Sequence, residues 1–199
     1  VSEFFGVVSL PMQWILILVP LWALFRGMKY PDWKEAIGFH RGEGIMKEIA
    51  CGFLAYLASI PVFLVGVLIT IIVFIIQVMM ATSSGAPIDP PTNPIFDMLS
   101  DGGFVIMFLI FTLATIWAPI AEELIFRGAL HRHMRGRLHW VFTGFFSALL
   151  FAYMHSYGPF MVAPLIALGF MFSFMREWRG SIIGPITAHF IHNASLVGF

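Results

Sequence analysis

Residues 49–81 run without a single Asp, Glu, Lys or Arg. In hydrocarbon such a stretch has no water to bond to, so its peptide groups must pair within the segment. No apolar stretch here shows the strict alternation of a barrel strand, so each reads as a helix. Composition extends the argument to the whole chain. It is 59% hydrophobic and 11% charged, against about 25% charged in soluble domains. Apolar segments fall near 7–25, 49–81, 104–121 (continuing as helix to about 133), 138–156, 160–175 and 181–198. The expected fold is therefore all-α: a polytopic transmembrane bundle of about six membrane helices. The segment 49–81 is long enough to tilt or to project beyond the bilayer. No internal repeat is evident.

The basic residues give an orientation. Arg26, Lys29, Lys34, Arg41 and Lys47 lie between the first two segments, and none lies between 82 and 103, where Asp89, Asp97 and Asp101 occur. Arg127, Arg132, Arg135 and Arg137 follow, then an uncharged link at 156–159, then Arg176 and Arg179. Basic and non-basic connections alternate, as six spans require. This predicts a multi-pass protein with cytoplasmic basic loops and an N-terminus outside the cytoplasm. The net charge is zero, so no global field favours nucleic acid, and none is expected as a partner. The lone Cys51 rules out an intrachain disulfide and reads as a packed small residue. Residues 30–49 mix basic groups with Trp33, Ile37, Phe39, Ile45 and Met46, as an interfacial helix would. Residues 83–94 are turn-rich. The start at Val1 and the stop at Phe199 within an apolar segment read as the core of a longer protein, and no cleavable signal is evident.

Ionisable groups at membrane depth are costly and by default functional. Those within the expected spans are Glu122, Glu123, Arg127, His155, His189 and His192, with Asn193 beside them. At ~1.5 Å per residue, Glu122 lies roughly 15–20 Å from the basic end, His155 about 22 Å, His189 about 13 Å and Asn193 about 20 Å. Three helices thus bring polar groups to similar depths, which a shared polar intramembrane cavity explains. Glu123 and Arg127, four apart with the acid first, are spaced for a helical ion pair. Glu122 is turned by about 100° and left free for chemistry. His189 and Asn193 share a helix face, His192 stands next to that face, and Phe151 can wall the cavity beside His155. His131, His133 and His139, among arginines, are expected to be solvated or lipid-facing. The Phe- and Met-rich residues 160–175 read as packing or a lipid face.

A carboxylate in a semi-dry pocket can serve as general base. Histidine can orient or donate to the same water, and Asn amide and His N–H can stabilise an oxyanion. Together they make a water-activating acyl-hydrolysis site. No Ser or Cys occupies these motifs as a covalent nucleophile. Two His and one Glu could instead hold zinc with an open position: Glu122, His155 and His189 would be the ligands. The HExxH pattern is absent, and no cofactor is favoured.

"EELIFR" at 122–127 resembles the EExxxR motif of the CPBP (CAAX protease and bacteriocin-processing, or Abi) intramembrane proteases. "FAYMH" at 151–155 is similar to their FxxxH motif, and "HFIHN" at 189–193 to their HxxxN motif. The resemblance covers about residues 104–199, which would form the catalytic core, with residues 1–103 supplying N-terminal membrane helices and loops of one integral domain. The family includes the Rce1-type endopeptidase that removes the last three residues of prenylated CAAX proteins. The resemblance implies that Glu122 and His155 activate water and that His189 and Asn193 form the oxyanion hole. Glu123 and Arg127 would give support. The family is often labelled metalloprotease, although this mechanism dispenses with a metal. The implied substrate is a membrane-associated peptide or lipidated protein. The implied location is the cell membrane of a bacterium or archaeon, or the ER membrane of a eukaryote. Two other readings compete: a non-catalytic immunity or scaffold protein of the same fold, and a transporter using Glu122, His155 and His189 as a proton relay. The intact motifs argue against the first, and the absence of an inverted repeat against the second.

Overall fold

The computed structural model describes residues 15, 17–84, 104–155 and 161–197. Among these there are helices and no strand. The acidic connection with Asp89, Asp97 and Asp101, the link at 156–160 and residues 7–14 and 16 of the first apolar segment lie outside the described residues. Helix α1 is Leu18–Phe25, α2 is Tyr30–Ile37 and α3 is Ile45–Ser84. Five consecutive stretches then make one rod, α4: Phe104–Thr112, Leu113–Trp117, Ala118–Glu123, Leu124–Leu130 and His131–Arg135. The second and fourth are π-helical, where an α-helix was expected throughout. Helix α5 is Trp140–Met154, α6 is Val162–Arg179 and α7 is Ile183–Val197.

Among the described residues, two helices are long and apolar enough to cross a membrane by length and composition: Ile45–Ser84 and Met107–Arg135. Helix α3, at 1.5 Å per residue, is about 60 Å long, twice a bilayer core. Its buried positions are Glu48, Gly52, Ser59 and Gly66, and they are small where helices meet. A methyl group on Gly52 would stand 2.5 Å from Gly184 O, and one on Gly66 would stand 2.8 Å from Pro164 Cα. Helix α3 therefore packs backbone to backbone on α7 and α6, a small-residue solution typical of membrane helices. Its remaining Ile, Leu, Val and Phe side chains are largely exposed. Helix α6 packs on α5 and α3, and α7 on α3, α6 and the middle of α4. The apolar row Leu165, Leu168, Phe172 and Met175 recurs at three and four residues and is buried, which makes it core packing.

The interfacial helix expected over 30–49 is confined to Tyr30–Ile37. Gly38 adopts a left-handed φ of 75° and stops it, a conformation open to glycine without a Cβ penalty. Trp33 and Ile37 do not face outward: they are buried with Leu124 and Ile182, and Trp33 Nε1 donates to Pro20 O.

Candidate active site

The middle of α4 carries both acids, and its backbone sets their directions. Pro119 opens the α-helical stretch Ala118–Glu123 between the two π segments. A wide turn changes the angular step along the rod, which is one reason such turns gather at functional sites. Glu123 and Arg127 face inward and are fully buried, and Arg127 NH1 donates to Glu123 Oε1 at 3.0 Å. Arg127 NH2 donates to Gly169 O at 2.8 Å. Its guanidinium centre lies 4.7 Å from the Phe151 ring centroid and 5.2 Å from that of Phe172. These contacts are cation–π interactions in a dry surround. Gly169 belongs at this crossing: a Cβ there would meet Ala148 Cα at 3.0 Å and Arg127 NH2 at 3.3 Å.

Glu123 does more than neutralise Arg127. His189 Nδ1 lies 2.9 Å from the same Oε1. The acceptor assigns the hydrogen to Nδ1, so the other ring nitrogen is directed elsewhere. That Nε2 stands 3.9 Å from Glu122 Oε2. The ring is stacked on Phe172, with centroids 5.1 Å apart and planes at 25°, and meets Phe151 edge-on at 5.7 Å. Phe172 is thus a wall of the site, and its place in the three-and-four spaced row of α6 is the signal that could have found it.

His155 ends α5. Its Nδ1 lies 2.7 Å from Phe151 O. A carbonyl only accepts, so this hydrogen too sits on Nδ1. His155 Nε2 is 3.4 Å from Glu122 Oε2, longer than an ordinary hydrogen bond. Phe151 lies against His155 with centroids 4.4 Å apart. Glu122 and His155 side chains are 20% and 18% exposed, while Glu123 and Arg127 are at 0%. The pair is thus partly exposed, with Glu122 Oε2 itself buried, and its supports are sealed.

Asn193 stands one turn beyond His189. Its Nδ2 donates to Ala114 O in the first π segment at 2.8 Å, which leaves one amide hydrogen uncommitted by that bond. His192 looks away: Tyr56 OH is 3.3 Å from its Nδ1, and Phe63 packs on it edge-on. His131 departs from expectation. It is buried rather than solvated, with Nε2 3.2 Å from Glu177 Oε2, because α4 continues through Arg135 and turns this residue onto α6. Among the described residues no three His, Cys, Asp or Glu side chains are grouped to hold a metal ion, so no step is derived through one.

Residues 104–195 match the family described as type II CAAX prenyl endopeptidase Rce1-like. This region of the chain is similar to Rce1-like domains, in keeping with the three motifs. Two curated relatives are similar. The uncharacterized protein YpbD of Bacillus subtilis (strain 168) is 36% identical over 80 residues, which are 40% of this chain and 40% of that protein. An uncharacterized 24.3 kDa protein of Escherichia coli is 26% identical over 206 residues, covering 89% of this chain and 91% of that protein. The chain thus spans less than half of the Bacillus relative. No solved structure matches it.

Proposed function

We propose that this chain is a multi-pass intramembrane endopeptidase that hydrolyses membrane-associated substrates with a water activated by Glu122 and His155. One observation carries the reading: the Nε2 atoms of His155 and His189 face a single Glu122 oxygen, while each Nδ1 is held by an acceptor behind it. With its hydrogen on Nδ1, neutral His155 offers a lone pair at Nε2. Glu122 Oε2 and His155 Nε2 are then two acceptors side by side, and a water can donate one hydrogen to each.

As the water oxygen attacks the scissile carbonyl carbon, Glu122 takes its proton. The carbonyl π electrons move to the oxygen, which becomes the oxyanion. Asn193 and His189 supply donors there. For His189 this role requires a proton on Nε2 as well as the one committed to Glu123, so it acts as an imidazolium between two carboxylates. Collapse of the intermediate breaks the C–N bond, and Glu122 returns its proton to the departing amine. Glu123, held by Arg127, fixes the His189 ring. No metal is needed for these transfers. The apolar segments fit one integral domain of about six spans, with the basic loops cytoplasmic and the site in a polar cavity. Substrates of this class are peptides or lipidated proteins of CAAX type.

The test is cleavage of a panel of prenylated and unprenylated membrane peptides by wild-type protein and by Glu122→Ala. Loss of cleavage in the variant supports the assignment, and cleavage that survives sinks the base. A chelator arm runs beside it, and activity lost there and restored by zinc would overturn the metal-free mechanism.

A further inference from the structure

A polar concavity lies away from Glu122, at the end of the bundle where the arginines gather. It is a groove of about 470 Å³, within the ~300–1,000 Å³ range of small-molecule sites. The last turns of α4 and α6 line it with His131, Arg132, Arg135, Arg176 and Glu177. Three guanidiniums thus face one carboxylate.

The bonding of these groups is uneven. Arg135 donates to both Glu177 oxygens, from Nε and NH2, at 2.9 Å each, so this pair is neutral within itself. Arg132 donates to Ala36 O at 3.3 Å. Arg176 donates to Arg127 O at 3.2 Å and also to Gly180 O. Carbonyls orient a guanidinium without cancelling its charge. Among the described residues neither Arg132 nor Arg176 has an ion-pair partner. Two preoriented guanidiniums without an ion-pair partner fit a multiply accepting anion, and phosphate suits the fork geometry of arginine. Exposed Trp178 and Phe174 on α6 adjoin the basic end, as aromatic residues do at headgroup level.

We propose that this groove binds a phosphate group, held by Arg132 and Arg176, at the level of the lipid headgroups. Basic pockets between membrane helices take anionic headgroups by the same chemistry. The site is independent of the hydrolytic reading, since none of its side chains touches Glu122, His155 or His189.

The experiment uses the detergent-solubilised full chain and native mass spectrometry. The probes are phosphatidylglycerol, phosphatidylcholine of the same acyl chains, and inorganic phosphate. The variants are Arg132→Gln, Arg176→Gln and, as a charge-matched control outside the groove, Arg137→Gln, with thermal melting recorded for each. Retention of phosphatidylglycerol over phosphatidylcholine, reduced about fivefold by Arg132→Gln and unchanged by Arg137→Gln, is the expected result. Inorganic phosphate binding with the same dependence on Arg132 and no lipid preference would assign the groove to a soluble phosphate. Arg176 bonds two carbonyls, so its variant can fail to fold; the exposed Arg132 keeps the test decisive. Equal binding by wild type and Arg132→Gln, or an equal loss in Arg137→Gln, would overturn the proposal.

Discussion

Glu123 Oε1 lies 2.9 Å from His189 Nδ1 and thereby links the helix α4 ion pair to the ring on α7. The same oxygen accepts from Arg127 at 3.0 Å. One carboxylate therefore both neutralises a buried cation and sets which nitrogen of His189 faces Glu122.

The two adjacent acids should fail differently. Glu122→Gln leaves the buried pair intact, so thermal stability stays near wild type while peptide cleavage is lost. Glu123→Gln leaves Arg127 buried with a neutral neighbour, which costs about 3–5 kcal/mol. The double change Glu123→Leu with Arg127→Met removes both charges and should recover much of that stability, yet still leave His189 without its acceptor. Melting curves in detergent, paired with cleavage rates, separate the cases. Wild-type activity in the double variant would refute the positioning role of Glu123.

Asn193 offers a second separation. Replacing it with Ala removes one hydrogen bond to Ala114 O, worth about 0.5–1.5 kcal/mol. Loss of an oxyanion donor, by contrast, lowers kcat about 10²–10³-fold. A large fall in kcat with a small fall in melting temperature is expected. Proportionate small effects on both would leave Asn193 with a structural task only.

At the crossing of α3 and α7, Gly52→Ala places a methyl 2.5 Å from Gly184 O. Backbone on both sides leaves nothing flexible to yield, so the helices must separate, costing about 1–3 kcal/mol. Thermal unfolding of this variant measures it, and an unchanged melting point would contradict the close approach.

Beyond the apolar stretch of α6, the Arg135 hydrogen bond holds the Glu177 carboxyl below its ordinary value of 4.5. A folded value below the unfolded one stabilises the folded state above the unfolded pKa. That contribution is full above about pH 4.5 and fades as pH falls through the lowered folded value. Glu177→Gln should flatten the acid limb of a melting-temperature profile and leave its slope near neutrality unchanged.

The meeting of Glu122, His155 and His189 was foreshadowed by scarcity: few ionisable groups interrupt the apolar segments, and their depths agree. The pairing of Glu123 with Arg127 followed from a spacing of four. The bond from Glu123 to His189 did not, because it joins residues 66 apart and depends on how α7 rotates against α4. The burial of His131 is masked in the sequence by its arginine neighbours, which suggest a solvated helix end. His131 lies four residues past Arg127, on the inward row begun by Glu123, and that row was the available sign. The π segments carry no sequence mark that separates them from α-helix, and they alter every angle counted along α4.

A π turn can be regarded as an α-helix with one residue inserted. Leu113–Trp117 and Leu124–Leu130 bracket the paired acids, so α4 is a rod with two slack points in its register. Deleting one residue at 113–117 lets the turn close to α without breaking the helix. Five residues in the wide turn and four in an α turn each make about one full rotation, so the lengths before and after would keep nearly the same relative rotation. A residue deleted outside the two wide turns would instead rotate one length against the other by about 100°, and the acids would leave the histidines. The two wide turns are therefore the places where α4 can lose a residue and keep its acids facing the histidines.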